Sequence, residues 1–378
     1  MGTRQEILGW LRESDPRELE RLWQAADDTR REHVGDDVHL RGLVEWSNIC
    51  RRHCAYCGLR ADNKDLTRYR MTPEEVLACA EESIRLGYGT VVVQAGEDAG
   101  LTLEVVADVI RRIKAVTKLA VTLSLGERTR EELAAWRDAG ADRYLLRFET
   151  SNAELLHRIH PPCGSEYTSG ASDDRPAVRA GTGPKGRVMT NPRFEAIGVL
   201  RELGYEVGSG MMVGIPGQSY ESLADDIEML GKLGLHMIGL GPWLPHPLTP
   251  LGQGDLPSLP EGEQVPNTET MTYKVLALAR LIVPDSNIPS TSALATLNYD
   301  GGREGGLMRG ANVVMPNLTP AKYRALYEIY PAKACVRELS EDFDRLLRQS
   351  LAAMGRPVGT GRGDSIIKEK ERLRDNRA

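Results

Sequence analysis

Residues 72–127, TPEEVLACAEESIRLGYGTVVVQAGEDAGLTLEVVADVIRRIKAVTKLAVTLSLGE, contain one structural unit and most of its first repeat. Thr72, Pro73, Glu74 and Glu75 supply an N-cap, a proline at the first helical position and acidic first-turn residues, so a helix is expected over Thr72–Leu86 with Gly87 as its stop. The β-branched run Thr90–Glu97 reads as a strand, Leu101–Val116 returns to helical periodicity, and Leu119–Glu127 is strand again. Strands joined by helices in this rhythm make parallel pairs. The same alternation extends outward on both sides. Strands are expected at His39–Asn48, Arg143–Thr150, Glu206–Pro216, Met237–His246, Ile288–Ala293 and Asn312–Asn317, with helices at Thr129–Ala139, Pro192–Leu203, Tyr220–Leu233 and Thr268–Ile282. Eight strands, each followed by a helix, predict an α/β fold: a (β/α)8 TIM-type barrel with N-terminal helices and a C-terminal extension. An open doubly wound sheet is the alternative, because alternation does not reveal closure.

Three segments lie outside the rhythm. Residues 1–38 read as an N-terminal helical extension, and the barrel spans 39–335. Within it, residues 163–191 have the Gly, Ser, Pro and charge content of a long insertion after the fourth strand, read either as a lid or as a surface loop. Residues 336–378 read as a C-terminal helix and tail, with the polar part after Gly359 expected to fray. The chain of 378 residues carries a net charge of −6, which argues against a dedicated nucleic-acid binder. No run approaches a membrane span, and the charged N-terminus lacks a signal core. A cytoplasmic protein without nucleic-acid or membrane partners is expected.

Chemistry concentrates in Cys50-Arg-Arg-His-Cys54-Ala-Tyr-Cys57, a C-x3-C-x2-C arrangement directly after the first strand. Three thiolates this close can grip one face of a metal centre, and soft sulfur suits zinc or an iron–sulfur cluster. Structural zinc wants a closing ligand pair that the sequence does not provide. Three ligands on a four-iron cluster leave one iron open to a second molecule. Incidental loop cysteines and a zinc site remain the alternatives. Polar and sulfur-bearing residues follow at one strand end after another: Gln94 and Glu97, Thr122 and Ser124, Arg147 and Glu149, Met211 and Met212, Pro242 and His246, Thr291 and Ser292, Met315 and Asn317. Barrel chemistry gathers at that face.

The C-x3-C-x2-C spacing resembles the signature of the radical S-adenosylmethionine superfamily. The ordered string NICRRHCAYCGLRADNKDLTRYRMTPEEV, VVVQAGED, TLSLGE, YLLRFETSN, GMMVGIPGQ, GLGPWLPHPLTP, PDSNIP, GGRE and GANVVMPNLTP, from about residue 40 to Cys335, resembles the HydE-like group of FeFe-hydrogenase maturases. Biotin synthase and methylornithine synthase are similar at greater distance. The resemblance implies that Cys50, Cys54 and Cys57 hold one 4Fe–4S cluster that binds S-adenosylmethionine. One-electron cleavage of the cofactor would release methionine and a 5′-deoxyadenosyl radical. It assigns Gln94, Glu97, Ser124, Glu149, Arg193, Met212 and Met237 to that cofactor, with Met237 at the adenine. It assigns Thr122, Arg147, Thr291, Ser292, Met315, Tyr327 and Tyr330 to a deeper substrate cavity. The implied partners are a small-molecule or organometallic iron–cysteine substrate, an electron donor such as ferredoxin or flavodoxin, and other hydrogenase maturases. A paralogue acting on another amino acid or sulfur compound is the alternative.

Structural readings stand beside these. Arg147 could pair with Glu149, Thr291 and Ser292 could cap a helix, and Tyr327 with Tyr330 could form a core stripe. His246 reads as a turn residue, His157 and His160 as solvated, and Cys79 as packing. The family's second-cluster pattern, C-x7-C-x2-C, begins at Cys335 but continues with Phe343 and Leu346, so a single cluster is expected. Cys163 in the insertion is read as an ordinary exposed thiol.

Overall fold

The computed structural model describes residues 3–161, 191–255, 258–336 and 340–375. The insertion expected at 163–191, and Cys163 with it, lies outside the described residues except for Asn191. Seven parallel strands form one sheet: β1 (His39–Ser47), β2 (Thr90–Ala95), β3 (Ala120–Ser124), β4 (Arg143–Leu145), β5 (Glu206–Val213), β6 (Met237–Pro242) and β7 (Val313–Val314). Their order, β6-β5-β4-β3-β2-β1-β7, follows the chain without a reversal point, which is barrel topology and not a doubly wound sheet.

The seventh expected strand, Ile288–Ala293, does not form a ladder. Asn287 instead pairs with Met237 and Pro289 with Val313, so the ring returns from β6 to β7 through two isolated bridges. Pro289 has no N–H to donate, and the chain turns into a helix at Ser292–Leu297. β4 is also shorter than expected. Beyond Leu145 the Ser209 hydroxyl enters the ladder, donating to the Leu146 carbonyl at 2.8 Å and accepting from the Phe148 N–H at 3.2 Å. Pairing resumes only at Glu149, opposite Met211.

The helices start where the capping residues promised. Thr72 and Glu75 exchange side-chain and backbone hydrogen bonds in a capping box with Pro73 at the first position, and Thr129 with Glu132 repeats the box. Arg4–Arg12 and Pro16–Val34 form the N-terminal pair, packed on the helix Glu269–Ile282, whose Lys274 ammonium donates to the Leu11 and Glu13 carbonyls.

The segment after Gly359 was expected to fray. It instead plugs the N-terminal mouth of the barrel. Arg41 donates to the Gly363 carbonyl at 3.0 Å, and Thr90 and Arg143 donate to the Arg362 carbonyl at 2.8 and 3.0 Å. Arg143, fully buried, also pairs with Glu206 at 2.8 Å and with Asp364. Its polar composition is what a floor of inward-facing charges requires. Replacing Arg143 by alanine strands the buried Glu206 carboxylate and is expected to cost about 3–5 kcal/mol of unfolding free energy. Replacing the surface residue Arg112 should leave the urea midpoint unchanged; urea titration of the two variants reads the contrast.

Candidate cofactor and substrate site

The cysteine loop leaves β1 at the opposite, C-terminal mouth. One side chain that the sequence reading missed holds the loop in shape. Arg68 donates to the carbonyls of Asn48, Leu59, Arg60 and Asn63 at 2.7–3.0 Å, so a single guanidinium closes the loop around the thiols. The backbone N–H groups of Ala55 and Gly58 dock on the carbonyls of Ile159 and Ile329. Gly96 lies so close that an added Cβ would stand 2.4 Å from the Ile49 carbonyl oxygen and 2.8 Å from the Cys50 Cβ. Only glycine admits that approach.

Cys50, Cys54 and Cys57 are free thiols, Cys54 buried and the other two half-buried. Cys50 Sγ accepts the Glu97 N–H at 3.4 Å. Burial raises the proton affinity of all three. Cys54 is raised further by Cys57 and Cys50, and Cys57, raised further by Cys50, reaches about 12. Thiols raised in this way give up their protons most readily to a cationic centre. Among the described residues no three His, Cys, Asp or Glu side chains converge on a one-ion geometry. A four-iron cluster, with one thiolate to each of three irons, asks for a wider spread.

Around the thiols runs an ion-pair network. Arg52, between the cysteines, reaches Glu97 at 2.7 Å and Glu127 at 2.6 Å. Arg193, at the start of the helix Arg193–Glu202, contacts Glu127 at 3.0 Å and Glu149 at 3.7 Å, and donates to the Arg147 carbonyl. Its remaining nitrogen lies 2.6 Å from His160 Nε2, which must be the acceptor because a guanidinium only donates. Burial, then Arg193 and Arg52, hold His160 well below its usual range. His160 is therefore a neutral member of the network and not the solvated residue expected.

Glu149 has φ +64°, a left-handed conformation that costs a non-glycine residue about 1–3 kcal/mol and collects at functional sites. Its carboxylate accepts from the Tyr56 hydroxyl at 3.4 Å and lies 3.1 Å from Arg147, yet Glu149 Oε2 and Arg147 Nε and Nη2 have no aligned hydrogen-bond partner. Thr122 Oγ1 and Thr291 Oγ1 are likewise buried and unpartnered. Arg147 is both a partner of Glu149 and a donor with capacity to spare. Thr291 sits at the N-cap position of its helix without making the side-chain cap. Gln94 and Ser124 face each other in register across β2 and β3. Gln94 donates to the buried Tyr327 hydroxyl at 3.1 Å, while Ser292 and Tyr330 share a hydrogen bond of 3.0 Å. Met315 follows β7 and is half-buried.

Met212 joins an apolar cluster with Ala55, Leu155, Ile159 and Ile215, beside Tyr56 and Trp243. Met237 does not join the others. As the first residue of β6 it lies at the plugged end, its sulfur accepting from Arg41 at 3.0 Å. An adenine contact there is set aside, because the residues at the start of a barrel strand and at its end face opposite mouths. Arg52, Tyr56, Arg68, Glu127 and His160 were missed. Arg52 and Tyr56, lying between candidate ligands, and Glu127, ending the third strand, carried a sequence signal; Arg68 did not.

Parallel strands ordered around a ring, with three thiols at its C-terminal mouth, define the architecture of one enzyme class. The Radical SAM superfamily model matches residues 44–230, and the chain belongs to that superfamily. Within it, the chain is 42% identical over 360 residues to the [FeFe] hydrogenase maturase subunit HydE of Thermotoga maritima, covering 94% of this chain and 92% of that protein. It is a HydE-like radical S-adenosylmethionine enzyme, a membership that implies an iron–sulfur cluster and S-adenosylmethionine. The 3-methylornithine synthase of Methanosarcina acetivorans is 26% identical over 301 residues, 79% of this chain and 74% of that one. Two solved structures share the fold: methylornithine synthase, with TM-score 0.75 at 21% identity and 94% of each chain covered, and the maturase HydG, with TM-score 0.70 at 19% identity over 93% of this chain and 71% of that one.

Burial pushes the Glu127 carboxyl up, but Arg193 and Arg52 outweigh it and hold it at about 2, against an ordinary 4.5. A depressed carboxyl stabilises the fold above its unfolded value and loses that contribution as pH falls towards its folded value. The stability advantage of wild type over Glu127→Gln is therefore expected to be full above about pH 5 and to vanish near pH 2. Denaturation of both proteins across that range, before metal loading, measures it.

Proposed function

We propose that this chain acts in maturation of the [FeFe]-hydrogenase active site, using radical chemistry on a small anionic, iron-bound cysteine derivative. The relationship to the Thermotoga maritima HydE over nearly the whole of both chains carries this reading. Cys50, Cys54 and Cys57 would hold a single 4Fe–4S cluster. When bound, it supplies the electron that splits S-adenosylmethionine into methionine and a 5′-deoxyadenosyl radical. The single-cluster reading is supported by what occupies the positions of a second one: Phe343 is buried under the Arg303 guanidinium, 4.6 Å from its ring centre, and Leu346 is exposed.

In this reading the chain's own residues bind and orient. Glu149, Arg193, Glu97, Gln94 and Ser124 present charge and hydrogen-bonding groups to the amino acid and ribose ends of S-adenosylmethionine, with Met212 packed beside them. Deeper in the ring, Arg147, Thr122 and Thr291 offer unsatisfied buried donors that suit an anion, and we assign Ser292, Met315, Tyr327 and Tyr330 to the same substrate cavity. Gly239 leaves room beside Arg147, an added Cβ there meeting nothing nearer than 3.9 Å. Enclosure there would exclude water and stray hydrogen donors from a radical. A soluble one-electron donor would complete the reaction. Among the described residues no helix is long and apolar enough to cross a membrane, and we take the cytoplasm as the place of action.

Anaerobic reconstitution tests the reading. Wild type should bind about four irons and four sulfides and, with dithionite and S-adenosylmethionine, release 5′-deoxyadenosine. Cys50→Ser, Cys54→Ser and Cys57→Ser should each lower product formation at least 100-fold. About six irons per chain would overturn the single cluster. Addition to a hydrogenase-maturation lysate depleted of its own HydE should restore hydrogen evolution. Cofactor cleavage without that rescue would move the substrate to another small molecule.

A further inference from the structure

We propose that Asp226 is a positioning residue that holds the Glu149–Ser151 turn so that the Glu149 carboxylate faces the cysteine loop. This rests on the reading of Glu149 as a contact to S-adenosylmethionine. Asp226 lies on the helix Tyr220–Leu233, behind β5, and is fully buried. A carboxylate there is tolerated only if donors replace its lost water. The donors it has are specific. The Thr150 hydroxyl lies 3.1 Å from each carboxylate oxygen, the Ser151 hydroxyl donates at 2.6 Å, and the Ser151 N–H donates as well. All three come from the two residues that follow Glu149.

The fourth donor is the Gln218 amide at 3.0 Å. Gln218 in turn accepts from the N–H groups of Gly214 and Ile215 at 2.8 and 3.3 Å and donates to the Met212 carbonyl at 3.2 Å. Asp226 thus ties the turn after β4 to the end of β5, the two places where the cofactor-facing residues Glu149 and Met212 sit. From the other side, the buried Asn191 amide donates to the Phe148 and Thr150 carbonyls, both at 2.8 Å. Glu149 stands between these two clamps in a conformation it would leave if unconstrained. An apolar residue would fill the space behind β5 equally well, but it would release the turn.

The test uses anaerobically reconstituted full-length protein and measures S-adenosylmethionine affinity by equilibrium dialysis, with iron, sulfide and melting temperature recorded for each variant. Asp226→Asn keeps the shape but turns an amide towards the donors. It should weaken S-adenosylmethionine binding at least tenfold at unchanged cluster content. Glu149→Gln should weaken it similarly, and the double variant should match Glu149→Gln within about twofold, because the two act through one contact. Asp226→Asn with wild-type affinity, or additive losses in the double variant, would overturn the proposal while leaving the role of Glu149 standing. Wild-type affinity in Glu149→Gln would sink both readings together. If Asp226→Asn does not fold, Thr150→Val removes one donor and keeps the side-chain shape; a threefold or larger loss of affinity supports the proposal and an unchanged affinity refutes it.

Discussion

Three thiols carried on one short loop, and pushed by burial to hold their protons, are the constraint on which the rest of the site depends. Such a group is uncomfortable until a cationic centre draws its protons away, and the protein does not relax it. The Arg68 clamp on four loop carbonyls and the close packing of Gly96 on Cys50 keep the sulfurs in place. The Arg52 and Arg193 guanidinium groups, paired with Glu97 and Glu127, keep the surroundings charged. A site prepared in this way needs little rearrangement when its cofactors arrive, which is how preorganisation lowers the cost of binding.

The two mouths of the barrel divide the work. The floor is sealed by Arg41, Thr90, Arg143 and Glu206, which bond to residues 361–365, although Arg41 Nε and His39 Nδ1 stay unpartnered there. The upper interior keeps buried donors and acceptors open at Thr122, Arg147, Glu149 and Thr291. Buried polar groups cost stability unless satisfied, so a cluster of unsatisfied ones, next to a residue in left-handed conformation, marks where a ligand completes the structure. Stability is invested at one end and withheld at the other.

Much of this was legible in the chain. Thr72-Pro73-Glu74-Glu75 announced a helix that begins there, since capping is a local contract between neighbours. Strand order was harder to read. Ile288–Ala293 has the composition of a strand, but Pro289 and the helix beginning at Ser292 leave it only a bridge on each side. Among the candidate contacts, Met237 falls away because it begins β6, at the plugged mouth, where Arg41 donates to its sulfur. His160 and the segment after Gly359 failed in the other direction: polar residues near an insertion or a terminus read as solvated, and here they are hydrogen-bonded partners of Arg193 and Arg143.

What the sequence determined alone were the features whose physics is local: helix starts and stops, the alternation of strand and helix, and the three cysteines whose spacing wraps one metal face. The tertiary structure decided everything that depends on distance across the barrel. Glu127 meets Arg193, Arg68 meets the cysteine loop, Asp226 meets the Glu149 turn and Arg143 meets Asp364 only because the strands are wound into a ring. Charge pairing and burial fall off over a few ångströms, and no spacing along the chain records which residues the ring will bring that close.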